Sequence, residues 1–414
     1  MEAIQLALYH FEQNNSDEAI KIIKEILSSA GDEEKYQAAY LLFDFGFMKE
    51  AKDIIENLLR DNKTNSSYKS LLADIHIELN EDEKAIQLLH DINPRDESYL
   101  PSLIQLADLY QSQGLFEVAE QKLHEAKSIN PEEEIIDLAL AELYFSLGNF
   151  SKCIPIYEHF ITEHSSIGGI ILASRLGEAY AALGNHEKAF TYYEQIQDET
   201  PDILFKFGLS AFHLERYQVA IQKWTESIEL DPYYYIVYRY LGEAYYLENM
   251  LDEANEVVQL GLTYDEHNDE LFYLAAKIAQ RRKQTDKAIN FIQQAIKMNP
   301  ERREFTLFYI SLLRESFREE EVVGYLLEAL NNDYFDPVFE WELAKSYYEI
   351  DEFEKALKYY GEASKYFEED AKFLYEYGYI LIEAGKIVKG KEILNKYVRL
   401  EPADYDTIEL LNRL

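Results

Sequence analysis

Small residues recur along this chain at a spacing that leaves little choice of architecture. One column reads Ala19, Ala51, Ala85, Ala119, Cys153, Ala189, Ala220, Ala254, Ala288, Val322, Ala356 and Gly390, and most neighbours stand 34 residues apart. Twelve residues before each stands a second column: Ala7, Ala39, Ala73, Ala107, Ala141, Gly177, Gly208, Gly242, Ala276, Ile310, Ala344 and Gly378, eleven of twelve Ala or Gly. A period of that length marks a repeat architecture, in which each unit buries its apolar face only against its neighbours. Large residues frame the columns. Leu72, Leu106, Leu176, Phe207 and Leu241 precede the first small residue, and Leu89, Leu123, Tyr157, Tyr193, Trp224 and Tyr360 follow the second by four. Pro131, Pro201, Pro232, Pro300 and Pro402 fall between units, where proline ends a helix without removing a needed bond. Gly46, Gly114, Gly148, Gly184 and Gly385 fall between the two small columns, at a turn.

These columns resemble the tetratricopeptide repeats (TPR), and the resemblance covers nearly the whole chain. It implies an all-α fold: a right-handed α-solenoid of about twelve 34-residue helix–turn–helix TPR units over residues 1–414, without a sheet. A terminal helix, about Tyr405 to Leu414, is expected to cap the last apolar face. Two departures stand out. Ile310 and Val322 replace the small residues of repeat ten, which predicts helices pushed apart there. Steps of 36 and 31 flank repeat six, and the extra residues fall in Ser165-Ser166-Ile167-Gly168-Gly169, a candidate hinge between 1–164 and 170–414. The all-repeat layout and the acidic, Tyr-rich composition also resemble the YpiA-type proteins of Bacillus-like bacteria.

Charge excludes several partner classes. The chain carries 40 Lys+Arg against 78 Asp+Glu, a net charge of −38. Phosphate binding needs a basic face that releases counterions, so no direct nucleic-acid partner is expected. The same field opposes an anionic membrane surface, and no apolar run reaches the ~20 residues of a membrane span. A single cysteine makes no internal disulfide, and Glu2 stands where a signal peptide carries basic residues, so a cytoplasmic setting is expected.

The chemistry-bearing motifs read as structural. Gly385-Lys386-Ile387-Val388-Lys389-Gly390-Lys391-Glu392 fits a phosphate-binding loop up to Glu392, where Ser or Thr is needed for Mg²⁺. Moreover, Gly385 and Gly390 occupy the turn and crossing columns. His159 and His164 are five apart and share no helix face. His10 and His76 stand in a column filled elsewhere by Tyr110, Tyr144, Tyr180 and Tyr245, which points to packing with a polar tip. Cys153 in the crossing column reads as a buried thiol with a raised pKa. No catalytic residue, cofactor or metal is expected, and the chain is read as not an enzyme.

What remains is surface. The resemblance implies that first helices line a concave groove receiving a partner segment. The residue after the first small one faces that groove: Tyr40, Asp74, Asp108, Glu142, Glu178, Leu209, Glu243, Lys277, Ser311, Lys345 and Tyr379. Asp74, Asp108, Glu142 and Glu178 form a line of carboxylates in consecutive repeats with no Lys or Arg between them in the column, expected as an unpaired row. Phe145 and Tyr246 are expected to add apolar contacts. Residues 66–200 hold 24 acids and 8 Lys+Arg, whereas 270–330 hold 9 and 10, so the groove runs from acidic to near neutral. The family's clamp for acidic chaperone tails, a Lys/Asn/Lys/Arg set, is absent from these columns. The expected function is a non-enzymatic interaction scaffold that holds a protein partner through a basic or polar segment. The alternative is a partner- or peptide-responsive regulator that sequesters a cytosolic factor.

Overall fold

The computed structural model describes residues 2–331 and 336–414. It is 76% helical. Two small columns per period become two helices per repeat, from Glu2–Glu12 with Ser16–Ser29 in repeat one to Ala371–Glu383 with Ile387–Leu400 in repeat twelve. The chain divides into two compact units, one ending at Ile196 and the other beginning at Gln197. The first unit holds repeats one to six. The second holds repeats seven to twelve and the terminal helix Tyr405–Arg413, whose Thr407 is fully buried and hydrogen bonded to Tyr379 at 3.1 Å.

The small columns lie where helices cross. Ala19, Ala51, Ala85, Ala119, Cys153 and Ala189 have no exposed surface. The pairing of small with large is local. A Cβ added to Gly177 would lie 2.7 Å from the ring of Tyr193, and one added to Gly208 would enter the indole of Trp224. Trp224 is completely buried and its Nε1 donates to the Phe205 carbonyl at 3.1 Å, so its one polar atom is satisfied. Burial pushes the Cys153 thiol up to about 11, as expected of a structural thiol.

Every repeat turns between its helices on one residue in the left-handed region. Gly46, Gly114, Gly148, Gly184 and Gly385 do so in five repeats, and Asn14, Asn80, Glu215, Asn249, Lys283, Phe317 and Asp351 in the other seven. In repeat two, Phe47 N–H bonds to the Leu42 carbonyl at 2.8 Å and Gly46 N–H to Phe43 at 3.0 Å. These two bonds are the Schellman closure of a helix C-terminus. This geometry accounts for Gly385 without any phosphate.

The structure departs from the sequence reading at the insertion. Ser166–Ile167 and Ile170–Ile171 form a two-stranded antiparallel hairpin, so the expectation of no sheet is corrected. Gly168 at φ +56° and Gly169 at φ +83° supply the two left-handed residues that a tight hairpin turn requires. The hairpin lies inside the first unit. In repeat ten Ile310 and Val322 are buried, and Arg303–Glu315 and Glu319–Asn331 form the most open helix pair of any repeat. Bulk at the crossing separates the helices, as the sequence predicts.

Candidate partner-binding groove

First helices of successive repeats meet side by side, and the groove column of one repeat faces a second column of the next, two residues before its first small residue. In the first unit this juxtaposition sets the partners of Asp74 and Glu142. Asp74 accepts a hydrogen bond from Gln105 Nε2 at 2.6 Å. Burial raises its carboxyl, the Gln105 bond opposes that, and the charge of Glu78 adds to it. Glu142 is gripped by Arg175: Nε donates to Oε1 at 3.0 Å and Nη2 to Oε2 at 2.8 Å, a bidentate pair. Tyr157 donates its hydroxyl to the same carboxylate. Desolvation works to lower the Arg175 guanidinium, but the bonds and charge of Glu142 outweigh it and hold it raised. Arg175 also lies over the Phe145 ring, 4.7 Å from its centroid. Glu178 accepts from Ser174 Oγ at 3.3 Å. The expected unpaired row is therefore corrected: Glu142 is ion-paired from outside its own column.

Asp108 differs. The residue facing it from repeat five is Ala139, which has no polar atom to offer. Among the described residues Asp108 has no side-chain hydrogen bond or ion pair; it is exposed to solvent, and partial desolvation still raises its carboxyl. It borders a cavity of about 580 Å³ between the first helices of repeats four and five, Tyr99–Ser112 and Glu134–Ser146. Glu142 lies on the far side, and Ile104, Phe116, Ile135, Leu138 and Ile170 supply apolar walls. Ile170 comes from the hairpin, so the insertion builds one wall.

In the second unit, Glu243 and Lys277 line a smaller cavity of about 140 Å³ with Arg239, Glu270, Tyr273, Leu274, Arg302 and Glu304. Its charges largely neutralise one another. Arg302 pairs with Glu270 and with Glu304 at 3.2 Å, and Arg239 stands 3.9 Å from Glu270 and 4.0 Å from Glu243. Lys277 and Tyr246 come together: Lys277 Nζ sits 5.7 Å from the Tyr246 ring centroid and 4.7 Å from that of Tyr273. Arg281 covers Tyr246 at 4.3 Å and donates to its carbonyl at 3.0 Å. Lys345 pairs with Glu342 at 2.6 Å beside the Trp341 ring.

Sequence reasoning missed Gln105, Arg175 and Ala139. All three stand two residues before a small one, at Ala107, Gly177 and Ala141, so the signal was a second column read against the next repeat.

Comparison with known proteins agrees with the repeat geometry. Residues 111–164 match the YpiA-like tetratricopeptide repeats and 337–404 the C-terminal repeats of the same family, while 174–202 and 269–302 match general tetratricopeptide repeats. The TPR repeat-containing protein YpiA of Bacillus subtilis (strain 168) is 32% identical over 357 residues, covering 85% of this chain and 84% of that protein. Solved structures resemble parts of the chain. YrrB, described as a TPR protein with an unusual peptide-binding site, is 19% identical and covers 46% of this chain and 97% of its own, with a TM-score of 0.41. MamA is 16% identical and covers 40% of this chain and 96% of its own, with a TM-score of 0.37. With its repeat columns, its turns and a relative aligned over most of both lengths, the chain belongs to the YpiA-like family of tetratricopeptide-repeat proteins.

Proposed function

We propose that this protein is a non-enzymatic interaction scaffold of the cytoplasm, holding a segment of a partner protein against the first helices of its repeats. The observation that supports this most directly is the cavity beside Asp108. It joins apolar walls to a carboxylate that the chain itself leaves without a partner. Recognition sites combine such walls with a few placed polar groups. The chain's net charge of −38 favours a segment that is basic or polar, reached through electrostatic steering. Among the described residues no helix is long and apolar enough to cross a membrane.

Affinity capture from native cytosol tests this, with captured proteins quantified by mass spectrometry at low and high salt. A groove variant carries Asp74→Asn, Asp108→Asn, Glu243→Gln and Lys277→Gln. A control carries Glu56→Gln and Glu117→Gln, exposed on second helices. The groove variant is expected to lose at least about tenfold of specific capture, equivalent to ~1.4 kcal/mol, and the control none. Equal capture by both would remove the groove from the partner contact.

A further inference from the structure

The carboxylates at Asp74, Asp108 and Glu142 occupy one column, yet the chain completes only two of them. Gln105 reaches Asp74 and Arg175 reaches Glu142, each from the facing column of the next repeat. At Asp108 that facing residue is Ala139, and the space its side chain does not fill is part of a cavity of about 580 Å³. That volume is comparable to that of ligand clefts, about 300–1,000 Å³, and the cavity opens broadly to solvent. It is ample for one long basic side chain and a neighbouring aliphatic one.

The walls specify the second half of the chemistry. Ile135 is 46% exposed although it stands on a first helix between two packed repeats. Ile104 and Ile170 flank it around the same cavity, and Ile170 is held there by the hairpin turn at Gly168-Gly169. One repeat further on, the chain shows how a cation settles on this face. Arg175 binds a groove carboxylate through the Nε–Nη2 edge of its guanidinium and lays that group over Phe145. Around Asp108 the charge favours the same guest, since residues 66–200 hold 24 acids against 8 Lys+Arg.

We propose that the cavity between the first helices of repeats four and five is the anchoring subsite of the groove. It takes one arginine or lysine side chain of a partner segment on Asp108, with an adjacent aliphatic side chain against Ile135 and Ile170. The proposal rests on the scaffold reading above and specifies the partner's chemistry. The basic side chain supplies in trans what Arg175 supplies in cis to Glu142, and the aliphatic neighbour covers apolar surface that is otherwise open to water.

The full-length protein is titrated into short fluorescein-labelled peptides, neutral except for one central arginine flanked by leucines. Matched peptides carry citrulline, which keeps the shape without the charge, or glutamate. Binding is read by fluorescence anisotropy, and far-UV circular dichroism checks that each variant is folded. The arginine peptide is expected to bind at least about tenfold tighter than the citrulline peptide. Asp108→Asn should erase that preference and leave citrulline binding unchanged. Ala139→Arg, which places a guanidinium where Arg175 stands one repeat on, should occupy the subsite from within and abolish arginine-dependent binding. No preference for arginine at millimolar peptide, or wild-type affinity in Ala139→Arg, would overturn the proposal. If arginine-dependent binding persists in Asp108→Asn and falls in the Lys277 or Glu243 variants, this subsite is wrong while the groove reading stands. If native capture is indifferent to every groove substitution, the scaffold reading itself fails.

Discussion

Asp108 and Glu142 stand one repeat apart in the same column, and their surroundings give them opposite effects on stability. Glu142 holds two bonds from Arg175 and one from Tyr157, so Glu142→Gln removes a charged partner and leaves a half-buried guanidinium without its counter-ion. A loss of about 1–3 kcal/mol is expected in denaturant unfolding. Asp108→Asn should instead stabilise slightly. Asp108 is exposed to solvent, but partial desolvation by the packed helices still raises its carboxyl above the ordinary range, so ionisation slightly favours the unfolded chain. The penalty is absent below the carboxylate range and complete above it. The variant should therefore melt higher than wild type at pH 7 and equally at about pH 3, below the ordinary aspartate value of ~3.9. An equal gain at both pH values would show that the carboxylate's charge is not the cause. The turn residues yield a second test. Phe317 holds φ +58° with 95% of its surface exposed, so it carries left-handed strain and buries almost nothing. Phe317→Gly should stabilise by about 1 kcal/mol.

At the scale of elements, the helix pair is set by what stands at its crossing. Ala119 is fully buried against the neighbouring first helix, while Glu117, two residues earlier on the same helix, faces solvent. Ala119→Leu should overpack the crossing and cost about 1–3 kcal/mol, whereas Glu117→Leu should be nearly neutral; chemical denaturation of both variants compares them directly. Repeat ten reverses the rule. Its open pair is filled by Ile310 and Val322, so restoring the common small residue with Ile310→Ala should leave a cavity and cost about 2–5 kcal/mol rather than relieve a clash. These outcomes follow from columns visible in the sequence, because each crossing lies within one repeat and its spacing is constant. The hairpin after repeat five was visible only as a lengthened step. Two glycines permit a left-handed turn but equally permit a loose loop, and it is the pairing of Ser166 with Ile171 and Ile167 with Ile170 that makes strands of them.

For the whole molecule, the net charge of −38 governs encounter more than contact. Opposite charge accelerates association over distances comparable to the Debye length, about 10 Å at 0.1 M salt, so a cationic segment should associate more slowly as salt rises. Its dissociation rate should change less, because it is set by close contacts in the cavity. Stopped-flow mixing of the arginine peptide across a salt series separates the two rates. A salt effect carried entirely by dissociation would place the interaction in local pairing rather than in the field of the chain.

The sequence by itself determined the repeat, the two helices in each unit, the turn between them and the acidic character of residues 66–200. All of these depend on residues close in the chain or on a constant period. Position along the chain was enough to put Asp74, Asp108, Glu142 and Glu178 in one line. Only the tertiary structure decided which of them the chain itself provides with a hydrogen-bond or ion-pair partner. That choice turns on whether the facing residue of the next repeat is Gln105, Arg175 or Ala139, and a single column read alone carries no record of its neighbour across the groove. The hairpin wall at Ile170 was likewise decided in three dimensions, since a lengthened step fixes how much chain is present and packing fixes where it goes.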